Sequence, residues 1–180
     1  WVMNILINGV TIQLNEDNTW RQNLIMKCRV WNLDNDYETL VKWWNQWDFG
    51  IVPKECLPPD GIIIEDDNGP ICAGGLYIGQ GTQFGFMEWI VTDKNANLKQ
   101  IHKALGLCIN NIMDMAKEKG MKLVYAVTGE EALHKRFTKY HGMELTENHA
   151  KTFLKDIYNK YDDLEWISDA EQHTKQMEKK

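Results

Sequence analysis

Hydrophobic and polar positions alternate near the start of the chain, in two β-rich runs separated by an Asn-Gly pair. The runs lie between Asn4 and Leu14, and the pair is Asn8-Gly9. An Asn-Gly pair in this setting is a strong hairpin signal, because a type I′ turn needs positive φ at both central positions. The organisation changes at Met26, which, like Met3, is a candidate translational start. Residues 1–25 are therefore predicted to be an added hairpin and linker.

From Met26 onward, the apolar spacing switches between the period of strands and the period of helices. Strand-like runs occupy residues 27–33, 62–64, 71–78, 84–91, 123–127 and 152–157. Helical spacing occupies three segments: one that begins at a capping box of Asn35 and Glu38 and ends at Phe49-Gly50, one from Leu98 to Gly120, and one from Glu130 to Gly142. This order predicts one α+β sheet domain at residues 26–158 with helices on both faces. Residues 159–180 have the spacing of an amphipathic helix in a charged tail.

Two of these helices carry definite expectations. In the long helix the apolar positions step by three and four and predict one buried stripe, which consists of Leu98, Ile101, Leu105, Cys108, Ile112 and Met115. Asn95 or Asn97 is expected to cap its start. In the first helix, Trp43, Trp44 and Trp47 fall within five positions and cannot all share one stripe. Trp43 or Trp44 is therefore expected to be partly exposed.

Composition and charge narrow the class of protein. The formal charge is −6 and the isoelectric point is about 5.4. That charge argues against general binding to nucleic-acid backbones, since such proteins need a cationic face. No apolar run is long enough to span a bilayer. The four cysteines have no zinc-like spacing, so we expect reduced thiols with packing roles in a cytosolic protein, and no metal.

Several motifs of known chemistry are missing from the sequence. It contains no Walker loop, no Gly-rich dinucleotide fingerprint, no His-Glu-x-x-His pair and no Gly-x-Ser-x-Gly elbow. These absences argue against a P-loop enzyme, a dinucleotide-binding fold and an α/β-hydrolase.

The start of the long helix is unusual in its charge. Free N–H groups and the helix dipole attract anions to a helix N-terminus, where Asp or Glu is common. Here the first turn has no acid, and four basic residues crowd there instead: Lys94, Lys99, His102 and Lys103. Either a phosphate or pyrophosphate is held among them, or these side chains point into solvent.

At this junction of strand and helix, the sequence resembles the GNAT superfamily of N-acetyltransferases. The matching features are the segment Glu88–Asp93 that leads into the long helix, the short strand Leu123–Val127, and Phe137 followed by Gly142. The resemblance covers about residues 26–157. It implies a mixed central sheet, a bulge that splays two strands, and acetyl-CoA as co-substrate in the resulting cleft. It also implies transfer of acetyl to a small-molecule or protein amine by direct attack.

The resemblance also assigns roles to particular residues. The expected cofactor-binding residues are Ile90, Val91 and Thr92 for the pantetheine arm, and Lys99, Gln100 and Lys103 for the phosphates. The family's Gly-rich pyrophosphate turn corresponds to residues 96–101, which contain no glycine. In the family the first helix and the loop after it line the acceptor site, so the tryptophans there either build the core or shape an acceptor pocket or partner surface.

Glu88 and Tyr140 are the candidate catalytic residues. An amine must lose a proton before it attacks a thioester, so a carboxylate in the cleft is needed as a proton acceptor. The apolar neighbours of Glu88 would raise its pKa toward the useful range. Alternatively, Glu88 faces solvent or pairs with a lysine. The family's general-acid tyrosine aligns with Thr138, and Tyr140 follows two residues later.

Other hypotheses compete with the enzyme. The missing glycines and tyrosine favour a non-catalytic GNAT-like scaffold, an interaction or virion-associated protein, and the chain also resembles diverged GNAT-type proteins of bacteriophages. A modifier of nucleic acid has support only from the basic patches at Lys94–Lys103 and His134–Arg136. The latter patch either faces the cofactor phosphates or is an ordinary charged surface. The hairpin and the tail could each dock on a second copy, which leaves a homodimer open.

Overall fold

The structure is a computed structural model that describes residues 26–146 in full and, before them, the backbone of three short strands. These strands form an antiparallel sheet and are β1 (Met3–Ile7), β2 (Val10–Leu14) and β3 (Trp20–Gln22). Ile7 pairs with Val10 across the predicted turn, so the hairpin is confirmed. The third strand was not predicted, because three residues carry too little pattern to identify it.

The main body is a five-stranded sheet with three helices. Its strands, in spatial order, are β4 (Lys27–Val30), β5 (Asp60–Asp66), β6 (Gly69–Ile78), β7 (Phe84–Thr92) and β8 (Leu123–Ala126). The helices are α1 (Leu33–Gln46), α2 (Leu98–Glu118) and α3 (Glu131–His141). All neighbours are antiparallel except β7 and β8, which are parallel because α2 crosses over between them. The predicted mixed α+β sheet is confirmed, whereas the strand predicted at 152–157 and the tail helix lie outside the described residues.

Both faces of the sheet are covered by helices. Because successive side chains of a strand point to opposite faces, neighbouring residues of one strand pack in different clusters. Ile62 and Ile64 of β5 pack in the cluster under α2, together with Cys72, Met87, Cys108 and Ile112. Ile63, between them, packs in the opposite cluster under α1, together with Trp31, Leu40, Trp43 and Trp44. Phe137 places α3 on the same side as α2. The run Ile62-Ile63-Ile64 is therefore apolar throughout because both of its faces are buried.

The first helix begins earlier than predicted. Asn32 is the N-cap, and its side chain accepts a hydrogen bond from the Asp34 N–H at 3.0 Å. Arg29 of β4 makes two hydrogen bonds to the buried Asp36 carboxylate, at 2.7 and 2.8 Å, and lowers its pKa. The expectation of a capping box at Asn35 was wrong, because Asn32 caps the helix and this ion pair between β4 and α1 fixes the first turn directly after the strand.

The expectation that Trp43 or Trp44 is exposed was also wrong. Their exposed fractions are 1% and 2%, and Trp47 is the exposed member at 37%. Both rings pack in one cluster with residues of the sheet and with Val52 of the loop after α1, and Trp44 meets the Trp89 ring edge-on, with centroids 6.4 Å apart. A helix between a sheet and a loop buries a wider face than a single stripe.

The long helix is confirmed, but its buried stripe is displaced. Asn97 is the cap, as one of the two alternatives predicted, and Gly120 follows the helix with φ of 77°. The fully buried positions are Ala104, Cys108, Ile109, Ile112 and Ala116. Leu98, the first residue of the predicted stripe, is 82% exposed. The predicted packing role holds for Cys72 and Cys108, whereas Cys28 and Cys56 are exposed.

No helix of the described part is long and apolar enough to cross a membrane.

Candidate active site

A bulge interrupts β7 at its centre. Ala73 of β6 pairs with Val91, and Gly75 pairs with Glu88, so β7 contains one residue more than β6 over this stretch. Trp89 in the bulge has φ of 59°, a left-handed conformation that is uncommon for a bulky residue. Such a bulge bends its strand and increases the local twist. The bulge implied by the family resemblance is thus present.

Side chains hold the bulge in place. The Trp89 indole donates a hydrogen bond to the Tyr77 hydroxyl at 2.8 Å, and that hydroxyl donates to the carbonyl oxygen of Cys56. On its other side the Trp89 ring meets Trp44. Strand β6, helix α1 and the loop at Lys54–Cys56 therefore fix one residue together. Nothing in the local sequence indicates this network, because its members are far apart along the chain.

The bulge opens a cleft between β7 and β8. The two strands pair only as far as Met87 and Ala126, and beyond these residues they diverge. A cavity of about 330 Å³ lies in the gap. Its floor includes Glu88 and Ile90, one edge is the chain at Val127–Gly129, and its apolar walls include Trp44, Phe49, Val52, Leu133 and Phe137.

Glu88 lies in this cleft with a perturbed acidity. Burial raises the pKa of its carboxyl group to about 7, although the backbone N–H groups of Trp89 and Val127 favour the ionised form. Near neutral pH both forms of the carboxyl group are therefore populated, so it can both accept and return a proton. The predicted alternative of a lysine partner does not describe this site, since no cation contributes to the shift.

The other candidate catalytic residue lies elsewhere. Tyr140 is 60% exposed on α3, its ring meets His102 edge-on, and the Lys139 ammonium group lies 5.5 Å from the ring centroid. It is not among the residues that line the cleft. Thr138, at the family's tyrosine position, lines a second cavity of about 500 Å³ on the other side of β8.

The strand residues predicted to hold the pantetheine arm have different surroundings. Ile90 lines the cleft. The Val91 side chain is buried under α1, and its backbone pairs with Ala73 of β6. The Thr92 carbonyl accepts a hydrogen bond of 2.8 Å from the Trp47 indole, so this acceptor is already engaged. Of the three residues, Ile90 is the one that lines the cavity.

The N-terminus of α2 is capped by its own side chains. The Asn97 side chain accepts from the Lys99 N–H at 2.8 Å, and the Gln100 side chain accepts from the Asn97 N–H at 3.2 Å. Gln100 also donates to the buried Asp66 carboxylate at 2.8 Å. Lys99 and Lys103 have exposed side chains. Asp66 supplies the negative charge that the first turn of the helix lacks, which sequence reasoning missed because this carboxylate belongs to a distant hairpin.

One member of each predicted basic patch is engaged within the protein. The Lys94 ammonium group donates to the Gln46 carbonyl at 2.8 Å and so belongs to the end of α1. Arg136 is only 8% exposed, and its guanidinium lies 2.7 Å from the His102 ring nitrogen, across the gap between α3 and α2.

Within the described residues, no group of His, Cys, Asp and Glu side chains is arranged to hold a metal ion.

Several solved acetyltransferase structures share this fold. Glucosamine-6-phosphate N-acetyltransferase from Arabidopsis thaliana is similar with a TM-score of 0.52 at 15% identity, over 73% of this chain and 99% of that one. An aminoglycoside acetyltransferase from an uncultured soil metagenomic sample, in complex with sisomicin, has a TM-score of 0.53 at 13% identity, over 72% and 97%. A GCN5-related N-acetyltransferase from Ralstonia eutropha has a TM-score of 0.50 at 14% identity, over 72% and 99%.

At these identities the likeness establishes the fold alone, which is the GNAT fold that the sequence resemblance implied. No protein-family model matches the sequence, and no curated protein sequence matches it either.

Proposed function

We propose that the protein is an N-acetyltransferase that passes acetyl from acetyl-CoA to an amine by direct attack in a ternary complex. The observation that carries the proposal is the cleft at the β7 bulge, which contains a carboxyl group with a pKa of about 7. Leu98, at the start of α2, is 82% exposed and does not line the cleft. This reaction needs an open pocket with a titratable base, whereas a purely structural scaffold needs neither.

The residues of the cleft have separate tasks in the proposed reaction. Acetyl-CoA, when bound, supplies the acetyl group as a thioester. The splayed edges of β7 and β8, at Ile90 and Val127–Gly129, orient the acetyl end and exclude water. Glu88 accepts the proton that the amine gives up as the new N–C bond forms and the C–S bond breaks. The released thiolate takes a proton from water, since Tyr140, the acid predicted from the sequence, does not line the cleft.

The phosphate end of the cofactor has a weaker fit than the acetyl end. Lys99 and Lys103 supply positive charge beside the α2 N-terminus, but the Lys99 amide and the Gln100 side chain already have partners in the protein. The phosphates therefore compete with Asn97 and Asp66, and charge attraction replaces part of the amide cradle that a glycine turn would give.

This self-capped helix start also favours a second candidate function, a non-catalytic GNAT-like interaction protein. In that protein the capping contacts would serve stability alone, and the cleft would not receive the cofactor. The bacteriophage-type subgroup and the cytosolic location remain predictions from the sequence.

Calorimetric titration with acetyl-CoA tests the proposal. We expect saturable binding, a higher unfolding temperature at saturating ligand, and release of free CoA thiol when an amine is added. A flat titration of natively folded protein would contradict the enzyme and favour the interaction protein.

A further inference from the structure

The walls of the cleft are apolar and its charged groups are all acidic. Among the described residues that line it, Glu88 and Glu130 are the ionisable ones, and Lys, Arg and His are absent. Among these described residues, a phosphate or carboxylate on the acceptor would meet two carboxyl groups and no cation, a mismatch that costs binding energy. A protonated amine meets only complementary charge.

The wall opposite β8 is aromatic. Phe49 is 41% exposed and lines the cavity next to Val52, with the edge-packed rings of Trp44 and Trp89 behind. An apolar ring beside these side chains would bury surface and pack in the offset or edge-to-face geometry that aromatic rings prefer. A sugar or a polyamine would have its polar groups facing hydrocarbon.

This aromatic wall is held rigidly before any ligand binds. The Phe49 N–H donates to the Trp44 carbonyl at 2.9 Å, and the Tyr37 hydroxyl donates to the Val52 carbonyl at 2.9 Å. The loop from 49 to 52 is thus fixed to α1 at both ends. A preformed wall selects its ligand by shape and loses little entropy on binding.

We infer that the acceptor is a primary monoamine with an aromatic or similarly bulky apolar body and without any anionic group. The inference rests on the proposed function, and it narrows the acceptor to one chemical class. This class of acceptor differs from those in the names of two structural neighbours, a phosphosugar and an aminoglycoside.

Four amines test the inference, and two of them differ from 2-phenylethylamine by a single feature. 2-Phenylethylamine has the ring and the amine, ethylamine lacks the ring, and phenylalanine adds a carboxylate; glucosamine 6-phosphate completes the set. We expect kcat/KM for phenylethylamine to exceed that for ethylamine by about tenfold and that for phenylalanine by about a hundredfold. Equal rates for ethylamine and phenylethylamine, or a preference for either anionic amine, would overturn the inference.

A second readout does not need the cofactor. In the absence of cofactor, ligand-observed NMR should show that 2-phenylethylamine binds the protein, with saturation transfer from the protein to its ring protons. Phenylalanine at equal concentration should not bind. Binding of phenylethylamine without any binding of acetyl-CoA would overturn the proposed function and still support the amine site. Binding of acetyl-CoA without preference among the amines would support the proposed function and overturn the inference about the acceptor.

The Phe49→Ala variant tests the aromatic wall against a matched control. Phe84→Ala removes a ring of nearly equal exposure, 42%, that lies at the other end of β7 and outside the cleft. We expect Phe49→Ala to raise KM for phenylethylamine about five- to tenfold and to leave KM for ethylamine unchanged, and Phe84→Ala to change neither. Phe49→Leu, which keeps an apolar side chain, serves if the alanine variant does not fold. An equal loss for both amines would contradict the assignment of Phe49.

Discussion

The two ends of the proposed cofactor site are built in different ways. At the acetyl end, a strained residue, Trp89, keeps two strands apart and leaves Glu88 in an open cavity. At the phosphate end, the start of α2 has folded its own side chains onto the amides that a phosphate would use. The acetyl end holds an unfavourable backbone conformation in place. At the phosphate end, the polar groups of the helix start already have hydrogen-bond partners within the protein.

This difference indicates which end keeps the features of a binding site. Strain and a raised pKa persist only where the surrounding structure holds them, and they cluster at functional sites. A capped helix N-terminus, in contrast, is a common stabilising feature of helices and needs no ligand. We therefore expect changes at the acetyl end to affect turnover strongly, and changes at the phosphate end to affect cofactor affinity modestly.

The largest effect is expected for Glu88→Gln. The amide cannot accept the proton of the attacking amine, so kcat should fall about a hundred- to a thousandfold. The Kd for CoA from calorimetry should stay within about twofold of wild type, because free CoA carries no acetyl group and its phosphates bind at the other end of the site. Glu118→Gln, an exposed position near the end of α2, is the matched control and should have wild-type kcat. A large rise in Kd with unchanged kcat would show that Glu88 holds the cofactor instead.

The pH profile gives the next effect in size. Because burial raises the pKa of Glu88 to about 7, the base form is lost below that pH. The rate at subsaturating amine, corrected for the neutral fraction of the amine, should therefore fall about tenfold per pH unit on the acidic side. Of the groups near the carboxyl, Tyr77 titrates far above this range and Glu130 is exposed. A profile whose acidic limb is unchanged in Glu88→Gln would exclude Glu88 as its source.

The same shift predicts how stability depends on pH. The folded pKa of Glu88 lies near 7 and its ordinary value is 4.5, so the folded state holds the proton more tightly than the unfolded state. The stabilisation by the protonated form is complete below pH 4.5 and is lost as pH rises through about 7. Urea unfolding at pH 5 and pH 8 should show a smaller loss of stability on raising the pH in Glu88→Gln than in wild type. An equal loss in both would show that Glu88 is not buried as described.

The same contrast explains what the sequence could reveal. Local patterns predicted the strands at 62–64 and 71–78 and narrowed the cap of α2 to Asn95 or Asn97, because each depends on neighbours along the chain. The burial of Trp44 depends on a loop that folds back, and the partner of Gln100 lies in a hairpin more than thirty residues away. Such contacts between distant segments leave no periodic signal in one sequence.

Removal of positive charge at the phosphate end should have a moderate effect. In the double variant Lys99→Gln with Lys103→Gln, the Kd for CoA should rise about tenfold at low salt and less at high salt, since exposed charges are screened. Lys122→Gln, an exposed lysine near the start of β8, should leave the Kd unchanged. Unaltered affinity in the double variant would show that the phosphates bind elsewhere.

The smallest expected effect is the most specific to the phosphate end, and it is a gain in affinity. Asn97→Gly removes the side chain that occupies the Lys99 amide and allows close approach of a phosphate, while glycine at a cap costs only a few tenths of a kcal/mol. The Kd for CoA should fall about threefold, the size of one modest amide contact, and kcat should not change. Asn95→Gly, also exposed but outside the cap, should change neither constant. Weaker binding in Asn97→Gly would mean that Asn97 itself contacts the phosphates, and the capped helix start would then be part of the cofactor site and not its competitor.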